Sequence, residues 1–326
     1  MLEKRTWRTG SWLAFSLFAL LCGTVLAQSY PTRPIKLVVP LTPGGPPDRT
    51  ARLLAQHLGE ALKQPVVVEN KTGAGSVLGA DYVVKAAPDG YTLLITNQAS
   101  ISLGPLMRRH TSYDPVKDFA HIALIGTFPM FFMVRTDHAA KTFQELLSIA
   151  RAKPGSISYG TSGIGSLGFL IGELLKQNGG VNIVHVAYKG ATPAISDLLG
   201  GHIDATFIAD SSAVEFVRSG KLRMLATTTE KRVPVLPDIP AMDEIVPGVS
   251  GSLWYGVSAP ARTPQAVIDR LQAEILSSIN SGDMQASLTG IGMTPVPLGP
   301  GEFVAFIQNE MRKWGPIVKA NNIRID

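Results

Sequence analysis

One stretch, Ile35 to Leu62 (IKLVVPLTPGGPPDRTARLLAQHLGEAL), constrains the fold more than any other. Ile35 to Val39 form an apolar, β-branched run of strand length, and Ala51, Leu54, Ala55, Leu58 and Leu62 recur at helical spacing. Between them lies a Gly/Pro loop. A strand that passes through such a loop into an amphipathic helix is the opening half of a parallel α/β unit, because parallel neighbours need a helical crossover. Gly44 and Gly45 allow φ > 0 and close approach of a ligand, and Asp48 suits the helix N-cap. A helix N-terminus delivered in this way offers free N–H groups and the positive end of a dipole, so the loop is a candidate anion site.

The unit then repeats. Val66 to Glu69 read as a second strand, Asn70 to Ser76 (NKTGAGS) as a second Gly-rich loop, Val77 to Ala86 as a helix, and Tyr91 to Thr96 as a third strand ending in Asn97-Gln98. Ile122 to Gly126 and Met130 to Val134 are apolar runs split by Thr127-Phe128-Pro129, which suits a strand continuing from one lobe into another. Thr142 and Glu145 have capping-box spacing ahead of a helix that Lys153-Pro154-Gly155 stops. A second α/β set follows: Ile157 to Tyr159, the loop GTSGIGS, a helix over Leu167 to Gln177, strands at Ile183 to Val186, Ala205 to Ile208 and Arg223 to Thr227, and helices reaching Leu199 and Arg218. Arg232 to Pro240 is a Pro-rich extended connection. Ser252 to Ser258 read as a strand returning to the first lobe, Thr263-Pro264 as the start of a helix to about Ile279, Met284 to Leu288 as a short helix and Glu302 to Lys319 as a long one. The expectation is an α/β chain of two lobes, each a mainly parallel sheet flanked by helices. Residues 28–129 and 251–326 would form the first lobe, and 130–250 the second, inserted one. A length of 326 residues, beyond the usual limit of a single core, agrees with two.

The first residues stand apart. Lys4, Arg5 and Arg8 precede an apolar stretch from Trp12 to Leu21 and a small-residue site at Val25-Leu26-Ala27, the pattern of a Sec-type signal peptide over residues 1–27. A retained N-terminal anchor is the alternative, although the stretch falls short of the about 20 apolar residues of a membrane span. The single cysteine, Cys22, lies in this leader, so a mature chain would carry neither disulfides nor thiolate metal sites. Lys4, Arg5 and Arg8 against Glu3 give the leader +2, leaving +3 of the chain's +5. Those bases are scattered, which argues against nucleic acid and suits a small anion as ligand.

Motifs that would signal catalysis fail on spacing. Gly163, Gly165 and Gly168 match a dinucleotide fingerprint, but Val184 to Lys189 lack the acidic residue that a ribose would need. That loop remains readable either as a tight strand–helix turn or as a carboxylate-binding loop. Neither Ser162 nor Ser166 has glycine on both sides at nucleophile-elbow spacing, and no two of the six histidines have metal-ligand spacing. Neither a cofactor nor a metal is expected. Tyr188 and Lys189 follow a strand end, where a site residue would sit.

Taken together, YPTRPIKLVVPLTPGGPPDRTARLLAQHL, QPVVVENKTGAGSVLGADYVVKAAPDGYTLL, YDPVKDFAHIALIG, HVAYKGATPAISDLLGGHID, SGKLRMLATT and LPDIP resemble, in order, the Bug-type (TctC-like) periplasmic solute-binding proteins of tripartite tricarboxylate transporters. The resemblance covers about residues 29–326. It implies a type II, flytrap-like fold that closes on a small carboxylate, a monomer that delivers it to permease subunits of a membrane transporter, and no catalysis. It also implies that the loops Pro43 to Asp48 and Gly160 to Ser166 hold a ligand carboxylate, partly through water, while Gly73 to Ser76 and Asn97 to Ala99 border the cleft. The candidate site is therefore Pro43, Gly44, Gly45, Asp48, Gly75, Ser76, Asn97, Gln98, Gly160, Thr161, Ser162, Gly165, Ser166, Tyr188 and Asp210.

Several positions depart from the family pattern. Pro46-Pro47 stand where Gly-Thr is usual, removing two amide donors and a hydroxyl. Phe169 stands where His is usual, and Ile208 where an Asp is associated with amino-acid ligands, with Asp210 nearby but shifted. A ligand without an amino group is expected, either an aliphatic di- or monocarboxylate or an aromatic carboxylate. A sensing module for a membrane histidine kinase is the alternative role, and an exported hydrolase a more distant one.

Overall fold

The computed structural model describes residues 30–209 and 212–325. The expected leader over residues 1–27 and the candidate Asp210 lie outside the described residues. From Arg33 the elements run β1 (Ile35–Val39), α1 (Pro46–Leu62), β2 (Val66–Asn70), α2 (Val77–Val84), β3 (Thr92–Asn97), the short α3 (Gln98–Ile101) and α4 (Leu103–Met107), and the long β4 (Phe119–Phe128). Next come β5 (Phe131–Arg135), α5 (Phe143–Ala152), β6 (Ser158–Thr161), α6 (Leu167–Gly179), β7 (Val184–Ala187), α7 (Ala191–Gly200), β8 (Ala205–Ile208), α8 (Ser212–Arg218), β9 (Leu222–Thr227) and α9 (Met242–Ile245). The chain closes with β10 (Leu253–Pro260), α10 (Gln265–Asn280), α11 (Gly282–Gly290), β11 (Thr294–Leu298) and α12 (Pro300–Ala320).

Two sheets result, in the orders β11-β4-β10-β3-β1-β2 and β7-β6-β8-β5-β9. In the first, β1 pairs in parallel with β2 and β3, whereas β10 runs antiparallel between β3 and β4, and β11 antiparallel to β4. In the second, β6 is parallel to β7 and β8, and β5 alone opposes its neighbours β8 and β9. The strands that run against the general direction therefore include the two that follow a crossing between sheets, β5 and β10. The near-continuous apolar run of β1 follows from its place inside the sheet, where Leu37, Val38 and Val39 are wholly buried.

Two local readings of the sequence are corrected, and one strand is added. Asp48 is not the N-cap: Pro46 and Pro47, whose fixed φ suits a first turn, start α1 earlier with Gly45 as cap, and Asp48 falls at the third helical position. Likewise α10 begins at Gln265 with Pro264 as its cap, leaving Thr263 outside. The strand β11 was not expected, because TPVPL carries two prolines; it lies at a sheet edge, where missing N–H donors are tolerated.

The cores show how the lobes share one helix. Val38, Leu94, Leu124 and Trp254 pack with Phe303 and Ile307 from the first half of α12. Trp314, Ile317 and Val318 from its second half join Phe132, Tyr159 and Phe207 of the other sheet and Leu170 of α6, together with Leu103 and Met107 of α4. Thr228, just after β9, fastens the two crossings to one another. Its fully buried hydroxyl accepts from Met130 N (3.1 Å) and donates to Gly251 O (2.6 Å).

Candidate functional site

A cavity of about 400 Å³ lies between the two sheets, of a size suited to a small organic ligand. Its floor comes from strand ends. From the first sheet it takes Leu41 after β1, Asn97, Gln98 and Ala99 after β3, Leu103, Gly104 and Met107 of α4, Leu253 and Tyr255 of β10, and Ile325 beyond α12. From the second sheet it takes Met130, the run Thr161-Ser162 and Ile164 to Gly168, Ala191, Phe207 and Ala209. The lining loops thus gather at the carboxyl ends of the parallel strands, where an open α/β sheet places its ligand sites.

The loop between β6 and α6 is the polar wall. Ser166 caps α6, its Oγ accepting from Phe169 N (3.3 Å) and donating to Gly163 O (2.7 Å). Thr161 Oγ1 is within reach of Gly163 N (3.3 Å), Gly163 O (3.2 Å) and His185 Nε2 (2.7 Å). These bonds fold Ser162 and the first amides of α6 toward the cavity. Gly165 is required there: its φ is +82°, and a Cβ would meet Ile325 Cγ2 at 2.8 Å and Met107 Sδ at 3.0 Å.

Across the cavity, the Asn97 side chain is occupied in shaping the floor. Its Oδ1 accepts from Ser100 N (2.9 Å), capping α3, and its Nδ2 donates to Ser76 Oγ (3.3 Å). Gln98 Oε1 accepts from Trp254 N (3.2 Å), so its amide NH2 is the end left to donate. Burial pushes the Tyr255 phenol above its ordinary pKa, keeping it a neutral donor. Gly75 lines the cavity within a turn in which Ala74, Gly75 and Ser76 all have left-handed φ values of 46°, 59° and 76°. Such φ values cost an L-residue roughly 1–2 kcal/mol. The turn is held by Arg108, which donates to Ala74 O at 2.9 Å, and by the Asn97–Ser76 contact.

Of the residues singled out in sequence, Gly75, Asn97, Gln98, Thr161, Ser162, Gly165 and Ser166 line the cavity. Pro43, Gly44, Gly45 and Asp48 do not; of the opening stretch only Leu41 reaches it. Gly44 has φ +83°, whereas Gly45 has an ordinary −75°. Asp48 is 3% exposed and turned inward, accepting from Gly44 N (3.0 Å), Asn70 Nδ2 (3.0 Å) and Arg52 Nε (2.9 Å). Burial opposes its charge, but the bonds from Arg52, Gly44 and Asn70 outweigh burial and hold its carboxyl below the usual range. Ser76 lies just behind the cavity, bonded to Asn97. Gly160 is a packing glycine, where a Cβ would stand 2.6 Å from Ile203 Cδ1. Tyr188 points away, donating to Asp197 Oδ2 at 2.6 Å; burial and that carboxylate push its phenol up to about 12.

Sequence reasoning missed the apolar wall of Leu103, Met107, Leu253 and Ile325, as well as Tyr255. Leu103 and Met107 are four apart, a spacing that could have marked one face of a helix. Among the described residues no group of three His, Cys, Asp or Glu could hold a metal, and no helix is long and apolar enough to cross a membrane.

Known proteins share this architecture. The chain is 33% identical to Protein BugT of Bordetella pertussis over 313 residues, 95% of this chain and 96% of that one. It superposes on an R. palustris protein solved with adipate with a TM-score of 0.80 at 33% identity, over 90% of this chain and 99% of the other. MatC from Rhodopseudomonas palustris with bound malate gives 0.73 at 29% identity, over 89% and 100%. A family model described as the tripartite tricarboxylate transporter family receptor, TctC, matches residues 50–323. The chain belongs to that TctC family, whose members are solute-binding receptors and not enzymes.

Proposed function

We propose that this protein is a periplasmic receptor that binds a small carboxylate lacking an amino group in the cavity between its lobes and delivers it to a tripartite tricarboxylate-type permease. The observation that carries the reading is the cavity's composition. One wall offers Ser162, Ser166 and the N-terminus of α6, the other Gln98 and Tyr255, and Leu103, Met107, Leu253 and Ile325 lie between. Among the described residues no acidic one lines the cavity, and Asp48 is already bonded to Arg52, Asn70 and Gly44. An ammonium group entering this cavity would be desolvated without a counter-charge from these residues, which is costly. A carboxylate would instead meet hydroxyl, amide and helix-end donors, each such bond contributing about 1.5–3 kcal/mol.

In this reading Ser162, Gly165, Ser166 and Gln98 touch ligand, while Asn97, Thr161, Gly75 and Ser76 shape the site. Residues 28–129 with 251–326 act as one lobe and 130–250 as the other, in a monomer exported by its leader. Adipate bound to one relative and malate to another support a carboxylate, and the apolar wall favours the longer aliphatic chain.

The test is native mass spectrometry of the purified protein, followed by thermal shift with adipate, malate, benzoate, aspartate and glutamate. A ligand at one hundred times its Kd stabilises the folded state by about 2.7 kcal/mol, a readable shift. Stabilisation by an amine-free carboxylate but not by the amino acids is the expected result. Equal or greater stabilisation by glutamate or aspartate would overturn the amine-free assignment.

A further inference from the structure

His185 lies on β7, behind the ligand loop and outside the cavity lining, and the carboxylate reading leaves it without a role. Its ring is half-buried against Phe169 (4.6 Å between centroids) and Tyr159 (5.1 Å), and its Nε2 is 2.7 Å from Thr161 Oγ1. The titratable groups facing it are Tyr159 from β6, and Glu173 and Lys176 from α6, the last two paired at 2.6 Å.

From His185 a chain of hydrogen bonds leads to the cavity. The one proton of the Thr161 hydroxyl has two acceptors within reach, His185 Nε2 at 2.7 Å and Gly163 O at 3.2 Å. That carbonyl already accepts from Ser166 Oγ (2.7 Å) and Ser166 N (3.2 Å), which fill its two lone pairs. In this arrangement the protons therefore run from Thr161 to a bare Nε2 and from Ser166 to Gly163 O. The Ser166 proton is then turned away from the cavity that this residue lines. When Nε2 carries a proton, Thr161 must accept from it and send its own proton to Gly163 O. The carbonyl then has a donor too many, and the Ser166 hydroxyl is displaced toward the cavity, where a carboxylate oxygen can accept it.

We propose that His185 is a positioning residue that couples a proton on its Nε2 to the availability of the Ser166 hydroxyl, so that the receptor takes up a proton as it binds a carboxylate. The inference rests on the carboxylate reading above. The imidazolium always holds an Nε2 proton, whereas the neutral ring can leave Nε2 bare. Burial lowers the His185 pKa from its ordinary 6.5, with Glu173 raising and Lys176 lowering it, so the ring is neutral at pH 7.5. Affinity consequently rises as pH falls, by at most about tenfold per pH unit for one linked proton.

Two measurements test this. The first is 15N NMR of the His185 ring in the ligand-free protein at pH 7.5. A bare Nε2 is expected, and an Nε2–H tautomer would overturn the proposal whether or not any carboxylate binds. The second is calorimetry with adipate between pH 8 and pH 6, in buffers of different ionisation enthalpy, on wild type, His185→Gln, Thr161→Val and Thr161→Ser. The ligand's own titration is common to all four. Wild type should gain roughly threefold or more in affinity relative to His185→Gln over this range and take up a fraction of a proton. Thr161→Val should lose the pH dependence and Thr161→Ser, which keeps the hydroxyl, should retain it. Equal pH profiles in wild type and His185→Gln would refute the coupling. Absence of adipate binding in every protein, with a bare Nε2 seen by NMR, would count against the ligand reading rather than the relay.

Discussion

Replacing Thr228 by Val tests whether one hydroxyl fastens the two crossings between the lobes. Valine keeps the β-branched shape, so no cavity is made and the change is confined to hydrogen bonding. In the wild type the Thr228 hydroxyl accepts from Met130 N and donates to Gly251 O, while the backbone of the same residue bonds Met130 O (2.9 Å) and Gly251 N (2.6 Å). Thr228 is fully buried, so water cannot replace the lost partner. Two backbone groups would be left unpaired, at about 1–3 kcal/mol each, giving a loss of about 2–6 kcal/mol. Against a typical stability of about 5–15 kcal/mol this is large. In urea unfolding followed by circular dichroism, with a slope of about 3 kcal/mol/M, the midpoint should fall by roughly 1 M. Thr228→Ser, which keeps the hydroxyl and loses a methyl group, should cost only about 1 kcal/mol. If the Val variant is no less stable than the Ser variant, the hydroxyl is not what joins the crossings.

Other outcomes follow from the same structure. His121 is buried, its Nε2–H donating to Pro115 O (2.9 Å) and its Nδ1 accepting from Ser258 Oγ (2.8 Å), and burial lowers its pKa to about 4. The unfolded chain therefore binds a proton near pH 6.5 that the folded one refuses until about pH 4. Stability should fall by about 3 kcal/mol across that window and stay level in this contribution below it; His121→Gln should show a shallower acid slope by urea titration. Asp48→Ala removes the acceptor for Gly44 N and the partner of Asn70 and Arg52, and should lower the melting temperature through a loss of about 1–3 kcal/mol. Gly165→Ala introduces a Cβ at a positive φ and against Ile325 and Met107, so adipate affinity by calorimetry should fall together with about 1–2 kcal/mol of stability.

The elements of this fold were legible wherever periodicity and punctuation coincide. The β1–loop–α1 unit and the passage through Thr127-Phe128-Pro129 from β4 to β5 needed only local pattern. Asp48 was misplaced because a Pro-Pro pair can start a helix before the first polar capping candidate. The cavity was legible on its polar side, where Thr161 to Ser166 stand out as a Gly/Ser loop between a strand and a helix. Its apolar side was not, since Leu103, Leu253 and Ile325 look like core residues in sequence, and only tertiary packing brings them beside that loop.

The position of β10 has a consequence for the order in which the protein assembles. This strand fills the gap between β3 and β4, yet it is made only after every strand of the second sheet. The second sheet draws its five strands, β5 to β9, from one unbroken segment and can pair them as soon as that segment exists. The first sheet cannot close, because until Leu253–Pro260 arrive β3 has one edge unpaired and β4 has neither neighbour. A chain synthesised from its N-terminus can therefore pair the strands of its later sheet first, while the earlier sheet waits, with open strand edges, for β10, and both cores wait for α12.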